Sequence, residues 1–436
     1  MSMFLYYCVA LTVLVIASPL LLFKAKARAG LFQKLGSIPA EFKIQDNSVW
    51  FHAVSMGEFH AIKTLLRDFH DKHPQVQVVV STTTATGQSL ARETVGSWAQ
   101  VIYMPFDLPW TVCNWLDRAR PSLIVISETE IWPGLAYQCK QRGISLVVVN
   151  GRISPRSFKQ YNRFKFFFSK VLRNFSAFGV QAETEAERYR SLAGTPEVDV
   201  RVLGNLKLDG LHSHSQTVTD ELRASLGLEK ASRIIVAGST HEGEESAVLD
   251  AFTQARKEHP NLKLIIVPRH PERFDRAAEI VKKSGLRLSR YSLGENFSSG
   301  ADVLLIDAMG LLTKLYSVAS VAFVGGSIAP IGGHNLMEPY LYKVPVICGP
   351  NIQKTRDTAS QLQQKNALFV VADANGIGEK LCYLLNSEAD RVSMGESGNQ
   401  FLLVSRGATE RALSFIEEFM QPSQAATSQM KMPTVS

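Results

Sequence analysis

The feature that most constrains the fold is an alternation of short apolar runs with stretches of helical periodicity, from about residue 45 onward. Several runs are continuously apolar, which is typical of parallel strands buried on both faces. Strands that alternate with helices predict βαβ units and therefore a doubly wound α/β fold. The candidate strands are Val49–Ala53, Gln77–Ser81, Val101–Pro105, Leu123–Ile126, Leu146–Asn150, Phe178–Gln181, Arg233–Ala237, Leu262–Val267, Val303–Ile306, Val321–Val324, Val344–Cys348 and Leu368–Val371.

A polar segment at Gly204–Asp220 interrupts this alternation and predicts a linker between two α/β halves. The length of 436 residues suits this division, because domains commonly hold about 100–200 residues. Two such halves are the architecture of many two-domain enzymes with a cleft. The predicted organisation is an apolar N-terminal segment at 3–23, domains at 24–210 and 211–420, and a polar, disordered tail at 421–436.

Composition excludes several classes of protein. Hydrophobic residues make up 45% and charged residues 20% of the chain, which is unlike a disordered or collagen-like sequence. The five cysteines are too widely spaced for a zinc ribbon or a disulfide framework. The net charge of +7 is modest, so it indicates an anionic surface or substrate rather than a nucleic acid.

The N-terminal segment predicts a membrane anchor. Met3–Phe23 contains no charged residue, and about 20 apolar residues span the hydrocarbon core of a bilayer. The first basic residues, Lys24, Lys26 and Arg28, come after this segment, whereas a cleavable signal peptide carries its positive charge before it. The positive-inside rule then keeps the body of the protein in the cytoplasm. A buried core helix is the alternative interpretation.

Ligands of open α/β sheets bind beyond the carboxyl ends of the strands, so the turns after predicted strands are candidate sites. In the first turn, Ser55 and Glu58 have the spacing of a capping box, in which Glu58 accepts the amide of Ser55. Glu58 is alternatively a general base at the mouth of the cleft. In the next turn, Ser127 and Glu130 have the same spacing, which leaves Glu128 without a structural role.

Basic residues follow a further strand of the first half. Arg152, Arg156 and Lys159 come directly after it, and arginine suits bidentate binding of phosphate. A solvated basic face is the alternative. The basic block continues through Arg163, Lys165, Lys170 and Arg173.

Three turns of the second half carry candidate anion-binding groups. Ser239 and Glu242 fit another capping box, and free helix amides there favour an anion. Residues 267–274 bring Arg269, His270 and Arg273 to a strand end, where they predict a phosphate site or, alternatively, a surface cluster of salt bridges.

The glycine-rich stretch at 321–339 allows the backbone to approach a ligand closely. Asn335 and Glu338 have capping-box spacing, and Glu338 can alternatively accept the hydroxyls of a ribose. No P-loop or G-x-G-x-x-G motif follows a predicted strand, and the chain has no H-E-x-x-H or G-x-S-x-G motif. These absences argue against a P-loop ATPase, a nicotinamide enzyme, a zinc protease of that type and a serine hydrolase.

Taken together, these stretches resemble the 3-deoxy-D-manno-octulosonic acid (Kdo) transferases of lipid A biosynthesis over nearly the whole chain. The resemblance rests on eight motifs in the same order: RAGL (28–31), HAVSMGE (52–58), SETEIWP (127–133), NGRIS (150–154), GNLKLD (204–209), STHEGEE (239–245), VPRHPERF (267–274) and GGHNLMEP (332–339).

The resemblance implies a GT-B glycosyltransferase, with two Rossmann-like domains facing a cleft and an N-terminal membrane-anchor helix. Its acceptor-binding domain covers 24–210 and its CMP-sugar-binding domain covers 211–420. The implied reaction is an inverting transfer of Kdo from CMP-Kdo to a lipid A precursor, lipid IVA, in lipopolysaccharide biosynthesis at the cytoplasmic face of the bacterial inner membrane. The implied partners are this donor, this acceptor and the membrane surface, with no metal, no other cofactor and no nucleic acid.

The resemblance also implies roles for individual residues. Glu58 is the implied catalytic base, and Glu128 and Lys207 are implied stabilisers of the transition state. The residues implied to bind CMP are Pro268, Arg269, Met309, Gly310, Leu311, Asn335, Leu336, Met337 and Glu338.

Two segments depart from the family pattern. Residues 307–312 read DAMGLL where the family has DTMGEL, so a polar side-chain contact from Leu311 is lost, whereas backbone contacts at Met309 and Gly310 survive. Residues 349–357 read GPNIQKTRD and lack the histidine and both aromatic residues of the family's GPHTFNF.

Three alternatives remain from the sequence. Two belong to the same fold class: another GT-B lipid glycosyltransferase and a nucleotide-sugar epimerase that shares the C-terminal half. The third is a catalytically inactive, membrane-anchored binding protein, which only the two altered segments favour. Use of a CMP-linked rather than a UDP-linked sugar separates the first interpretation from the other enzymes, and turnover excludes the third.

Overall fold

The structure is a computed structural model that describes residues 3–23, 28–42, 46–229 and 231–420. The chain forms two compact units, one that runs to Gly210 and resumes at Arg406, and one that covers Leu211–Ser405. The predicted tail at 421–436 and the basic residues Lys24 and Lys26 lie outside the described residues.

The first unit contains a seven-stranded parallel sheet in the order β3-β2-β1-β4-β5-β6-β7. Its strands are β1 Ser48–His52, β2 Val78–Thr82, β3 Ala99–Tyr103, β4 Pro121–Ser127, β5 Ser145–Gly151, β6 Ala177–Val180 and β7 Val200–Val202. Its helices, up to Gly210, are α1 Met3–Phe23, α2 Leu31–Lys34, α3 Met56–Lys72, α4 Ala85–Val95, α5 Pro109–Ala119, α6 Pro133–Arg142, α7 Pro155–Arg163, α8 Lys165–Leu172, α9 Glu183–Ala193 and α10 Leu206–Asp209.

The second unit contains another seven-stranded parallel sheet, in the order β10-β11-β9-β8-β12-β13-β14. Its strands are β8 Ile234–Thr240, β9 Lys263–Pro268, β10 Leu288–Arg290, β11 Val303–Leu305, β12 Val321–Val324, β13 Val346–Cys348 and β14 Leu368–Val370. Its α-helices are α11 Gln216–Ser225, α12 Glu244–Arg256, α13 Phe274–Lys283, α14 Leu312–Leu315, α15 Arg356–Gln364, α16 Ala374–Asn386 and α17 Glu388–Ser405. Single 3₁₀ turns occur at Pro271–Arg273, Tyr291–Leu293, Phe297–Ser299, Tyr316–Val318 and Pro339–Tyr342.

The two parallel sheets confirm the predicted α/β class. Every residue of β1, β2, β4 and β8 is buried, as expected where helices cover both faces of a sheet. The strand order changes direction between β1 and β4 in one sheet and between β8 and β12 in the other. These are the switch points at which open α/β sheets bind their ligands.

Two edge strands, β7 and β10, were not predicted. Each has three residues and includes polar side chains, so neither produces the apolar run by which a central strand is recognised. The segment Gly204–Asp220, predicted as a linker, contains the one-turn helix α10 and the first residues of α11. Leu206 at the start of α10 is buried, and its amide donates to Asn150 Oδ1 at 3.1 Å.

The last described helix, α18 (Ala408–Glu418), belongs to the first unit, whereas the predicted second domain extends to 420. Phe415 and Ile416 lie in the same buried cluster as Phe51 and Phe59 of the first unit. Asp209 holds the start of α18, because its carboxylate accepts the amides of Gly407 and Thr409. The boundary at 420 is therefore wrong, since the apolar face of α18 completes the core of the first unit.

The first turn of α1 packs against the body of the first unit. Tyr6 Oη donates to Asp107 Oδ2 at 2.6 Å, and its ring stacks 5.9 Å from that of Phe167. Within the part of the chain that the structure describes, no helix meets the length and apolarity needed to cross a membrane.

Candidate functional site

Glu58 lies on the first turn of α3, beyond the carboxyl end of β1. Ser55 is the N-cap of α3 and accepts the amide of Glu58 at 3.4 Å. Glu58 Oε2 accepts the amide of Val54 at 2.8 Å, rather than that of Ser55 as the capping-box interpretation predicted. The reciprocal cap therefore exists in a form shifted by one residue, and it holds the Glu58 carboxylate in a defined orientation.

The environment of Glu58 favours its protonated form. The pKa of Glu58 is raised from 4.5 to about 7, chiefly by burial; the nearby charges of Glu128 and Glu130 contribute to the rise, and the hydrogen bonds from Val54 and Ser55 oppose it. Burial and the charge of Glu128 also raise the pKa of Glu130. A carboxylate that exchanges its proton near neutral pH has the pKa expected of a general base.

Glu128 follows β4 in a left-handed conformation, with φ of 61°. Such a backbone costs roughly 1–2 kcal/mol for a residue other than glycine, and here the amide of Glu128 donates to the carbonyl of Val149 at 3.0 Å. Its carboxylate pairs with Lys207 Nζ at 2.7 Å. Glu128 thus has an ionic partner, 79 residues away in the chain, that the sequence-based interpretation did not assign.

Lys207 is positioned by the one-turn helix α10. Asn205 caps this helix by accepting the amide of Lys207 at 3.0 Å. The buried Leu206 fixes the preceding position against Asn150. The structure therefore brings the Glu128–Lys207 ion pair to the same strand-end region as Glu58.

The predicted capping box of Ser127 and Glu130 is wrong. Helix α6 begins at Pro133, and Asp107 caps it by accepting the amides of Gly134 and Leu135, each at 2.7 Å. Among the described residues, Ser127 Oγ has no hydrogen-bond partner. Asp107 was missed, although a carboxylate in the short turn between β3 and α5 was a detectable signal.

Of the basic residues after β5, Arg152 precedes α7 and is half-buried, whereas Arg156 and Lys159 on α7 and Lys165 on α8 are exposed. Phe164 and Phe166, which flank Lys165 in the sequence, are 61% and 69% exposed. This exposure supports the interpretation of a solvated basic face, now with aromatic side chains interspersed.

The predicted CMP-binding residues lie in three segments of the second unit. Arg269 follows β9, and its amide donates to Thr240 at 3.1 Å. Met309–Leu311 precedes α14, and Asn335–Glu338 follows the glycine-rich loop. Thr313 Oγ1 on α14 donates to Glu338 Oε2 at 2.8 Å, which joins the last two segments.

The exposure of these residues differs. Met309 is 55% exposed, whereas Leu336 and Met337 are 1% and 2% exposed. Leu336 and Met337 therefore offer a ligand only their backbone. Asn335 Nδ2 donates to Glu338 Oε1 at 3.0 Å, and Asn335 Oδ1 accepts the amide of Met337. The two side chains are bonded to each other, but the predicted capping box is wrong.

Glu244 is a functionally placed residue that the sequence-based interpretation missed. Its buried carboxylate accepts five amides, at 2.7–3.2 Å, from His241, Gly326, Ser327, Ile328 and Ala329. It thereby joins the end of β8 to the loop after β12.

The predicted capping box of Ser239 and Glu242 is wrong, because α12 begins at Glu244 behind Gly243, and Glu242 is exposed. Arg273 forms a salt bridge of 2.9 Å with the buried Glu245. For Arg273, the structure therefore supports a salt bridge rather than the predicted phosphate site.

Across residues 3–23, 28–42, 46–229 and 231–420, no three His, Cys, Asp or Glu side chains are grouped so that they can hold a metal ion.

Comparison with solved structures supports the fold. A glycosyltransferase from Rickettsia africae aligns with a TM-score of 0.60 at 12% identity, covering 87% of this chain and 100% of that one. UDP-GlcNAc 2-epimerase from Neisseria meningitidis aligns with a TM-score of 0.57 at 14% identity, covering 85% and 99%. At these identities the likeness shows only the shared architecture of two parallel-sheet units.

Comparison with known sequences identifies the family. A family model described as 3-deoxy-D-manno-octulosonic-acid transferase (kdotransferase) matches residues 26–210. The 3-deoxy-D-manno-octulosonic acid transferase of Haemophilus influenzae is 33% identical over 86% of this chain and 87% of its own length. That of Chlamydia pneumoniae is 29% identical over 95% and 96%. The chain belongs to the 3-deoxy-D-manno-octulosonic acid transferase family and is a glycosyltransferase.

Proposed function

We propose that this protein transfers Kdo from CMP-Kdo to a lipid A precursor, lipid IVA, in lipopolysaccharide biosynthesis, with inversion at the anomeric carbon. The observation that carries the proposal is the grouping of Glu58 with the Glu128–Lys207 ion pair beyond β1 and β4. Binding sites of open α/β sheets lie at this switch point. A general base and a pair of fixed charges there are the groups needed to activate an acceptor hydroxyl.

Glu58 is the proposed general base. An acceptor hydroxyl attacks the anomeric carbon of Kdo, and the proton of that hydroxyl passes to the Glu58 carboxylate. The bond between the anomeric carbon and the phosphate oxygen breaks, and CMP leaves with the electron pair. Glu128 and Lys207 stabilise the charge that develops in the transition state, because fixed charges in a partly buried site need no reorganisation during the reaction.

The proposed donor site lies in the second unit. Pro268 and Arg269 approach the phosphate, and Glu338 accepts the ribose hydroxyls. Met309–Leu311 and Asn335 line the nucleotide, while the buried Leu336 and Met337 contribute backbone groups only. Neither a metal nor another cofactor is proposed, so we expect chelation by EDTA to leave the rate unchanged.

We further propose that α1 anchors the protein at the bacterial inner membrane and keeps the body at the cytoplasmic face. Many side chains of α1 are exposed and apolar, including Phe4, Val15 and Ile16. The bond from Tyr6 to Asp107 ties the first turn to the body, which leaves the following residues to lipid. The exposed aromatic and basic residues of α7 and α8 suit an anionic membrane surface.

A membrane fractionation tests the anchor. Ile16→Glu places a charge in the hydrocarbon core, which costs about 2–4 kcal/mol, and we expect it to move protein into the carbonate-soluble fraction. Val392→Glu alters an exposed apolar side chain of the second unit and is the matched control. Equal retention of both variants in the membrane pellet contradicts the anchor.

The reaction is tested by measuring release of CMP from CMP-Kdo, with and without a tetraacylated lipid A precursor. We expect acceptor-dependent release that falls about 10²–10⁴-fold in Glu58→Gln. Glutamine still accepts the Val54 amide, so the cap survives. Glu187→Gln, an exposed position of the same unit, is the control that retains full rate.

Stability distinguishes loss of a base from loss of the fold. The pKa of Glu58 is higher in the folded protein than its ordinary value of 4.5, so its ionised form destabilises the fold increasingly between pH 4.5 and 7. We therefore expect Glu58→Gln to be at least as stable as the wild type at pH 8. Wild-type rates in this variant contradict Glu58 as base, and turnover of UDP-sugars in place of CMP-Kdo contradicts the proposed donor.

A further inference from the structure

Three histidines of the second unit meet at the carboxyl ends of its central strands. His241 follows β8, His270 follows β9 and His334 follows the glycine-rich loop after β12. His241 Nε2 and His334 Nε2 are 2.8 Å apart, with parallel rings whose centroids are 5.1 Å apart. The ring of His270 lies edge-on to that of His241 at 5.4 Å. We call these three side chains the histidine cluster.

The 2.8 Å contact determines how protons are arranged in the pair. A neutral imidazole donates through one nitrogen and accepts through the other, so one Nε2 carries the hydrogen and the facing Nε2 accepts it. Two Nε2–H groups cannot face each other at this distance. An additional proton is therefore accommodated on Nδ1 of the donating ring, where it leaves the contact between the two rings intact.

The surroundings of the pair are mainly cationic. The pKa of His334 is lowered to about 4, chiefly by burial, with contributions from His241, Arg269, Lys354 and His270. Burial also lowers the pKa of His241; Glu244 opposes this, while His270, Arg273 and Arg269 add to it. The two carboxylates nearby are engaged elsewhere, since Glu244 accepts five amides and Glu245 pairs with Arg273. Without an anion, the pair is neutral at pH 7.

Glycine lets the backbone of this loop pack closely against the histidine cluster. Gly326, Gly332 and Gly333 have φ of 66°, 101° and 83°. A Cβ on Gly326 would lie 2.6 Å from His334 Cδ2. The imidazoles and Arg269 thus converge at one strand-end region, which favours an anionic ligand.

We propose that the histidine cluster binds the anionic groups of the donor, its phosphodiester and its sugar carboxylate, and takes up a proton as the donor binds. This inference rests on the proposed function. Both ligand groups are fully ionised at neutral pH, so the proton enters the protein from solvent. The negative charge of the ligand offsets the repulsion from Arg269, Lys354 and Arg273 and stabilises the imidazolium of the pair.

The test is calorimetric titration of the full-length protein with CMP-Kdo at pH 7.5, without acceptor, in buffers of different ionisation enthalpy. CMP alone is unsuitable because its monoester phosphate titrates in this range. We expect the heat to depend on the buffer in the direction of proton uptake. We also expect affinity to weaken up to about tenfold for each unit of rising pH, as one linked proton requires.

His334→Gln keeps an amide next to His241 but cannot carry the added proton. We expect its affinity for CMP-Kdo to be weakened and to lose the dependence on pH and buffer, whereas His212→Gln, at an exposed position of the same unit, keeps both. ¹⁵N shifts of the wild-type imidazoles on titration with CMP-Kdo provide a readout that needs no variant. An imidazolium signature that appears on binding supports the proposal.

The possible failures are distinguishable. Tight binding by the wild type without buffer dependence, or unchanged pH dependence in a folded His334→Gln, overturns the histidine-cluster inference alone. Absence of any binding of CMP-Kdo to the wild type overturns this inference together with the proposed donor.

Discussion

At the scale of single residues, Glu58 combines two roles that its sequence context presented as alternatives. Its carboxylate caps α3 through the Val54 amide, and the same bond orients it beyond the end of β1. Burial and two neighbouring carboxylates then raise its pKa to about 7. Capping and proposed catalysis are compatible because the cap uses Oε2, while the contact of Oε1 within the described ranges is a long one, 3.4 Å from the Ser55 hydroxyl.

The pKa of Glu58 predicts the pH dependence of the reaction. We expect kcat/KM to rise with pH and to level off above an apparent pKa of about 7, because the base must be ionised. Glu130→Gln removes one of the charges that raise this pKa, so the rising limb is expected to move to lower pH. The profile is measured by CMP release over pH 5–9, and Glu187→Gln is the control. An unchanged limb in Glu130→Gln contradicts this account of the pKa.

At the scale of structural elements, Glu244 organises the ligand-facing edge of the second sheet. A single buried carboxylate accepts amides from both the end of β8 and the loop after β12. Residues 349–355 are attached to this loop as well, since the amide of Asn351 donates to Ser327 and that of Lys354 to Gly332. The altered segment at 349–357 thus has a defined place in this chain, although its family motif is absent.

Glu244→Gln is predicted to destabilise the protein strongly. The variant places an amide N–H₂ against backbone donors and leaves buried amides without an acceptor, at about 1–3 kcal/mol for each group. We expect a loss of about 3 kcal/mol in the free energy of unfolding, measured by urea denaturation. Glu242→Gln, two residues earlier at an exposed position, is expected to change it by less than about 0.5 kcal/mol. Equal effects of the two variants exclude the proposed role of Glu244.

At the scale of the whole molecule, the chain returns to its first unit after it has completed the second. Helix α18 supplies Ala412, Phe415 and Ile416 to the core that contains β1 and α3. Polar bonds also join the α18 region to residues near Gly210. Asp209 accepts the amide of Gly407, and Arg411 donates to the carbonyl of Leu203. The stability of the proposed acceptor-side site therefore depends on residues near the other end of the sequence.

Phe415→Ala is predicted to destabilise the first unit selectively. Removal of a buried phenylalanine costs about 3–5 kcal/mol, and the cavity lies in the first unit. Native-state hydrogen exchange is expected to show lost protection at Trp50 in β1 and retained protection at Val236 in β8. Glu410→Ala, on the exposed face of α18, is the control. Greater loss in the second unit than in the first contradicts this assignment of α18.

The sequence by itself determined the α/β class, the central strands and the local position of Glu58. Each of these depends on neighbouring residues: apolar runs mark buried strands, and a cap acts within one turn. The edge strands β7 and β10 were not predicted, because each has only three residues and includes polar side chains, so neither forms an apolar run.

Only the tertiary structure decided which side chains act together. Glu128 and Lys207 are 79 residues apart in the chain. Glu244 is 82–85 residues from the loop amides that it accepts, and His241 is 93 residues from His334. Parallel strands bring their carboxyl ends to one edge of a sheet regardless of the length of chain between them. The same physics places α18 in the first unit, because its apolar face is buried only there.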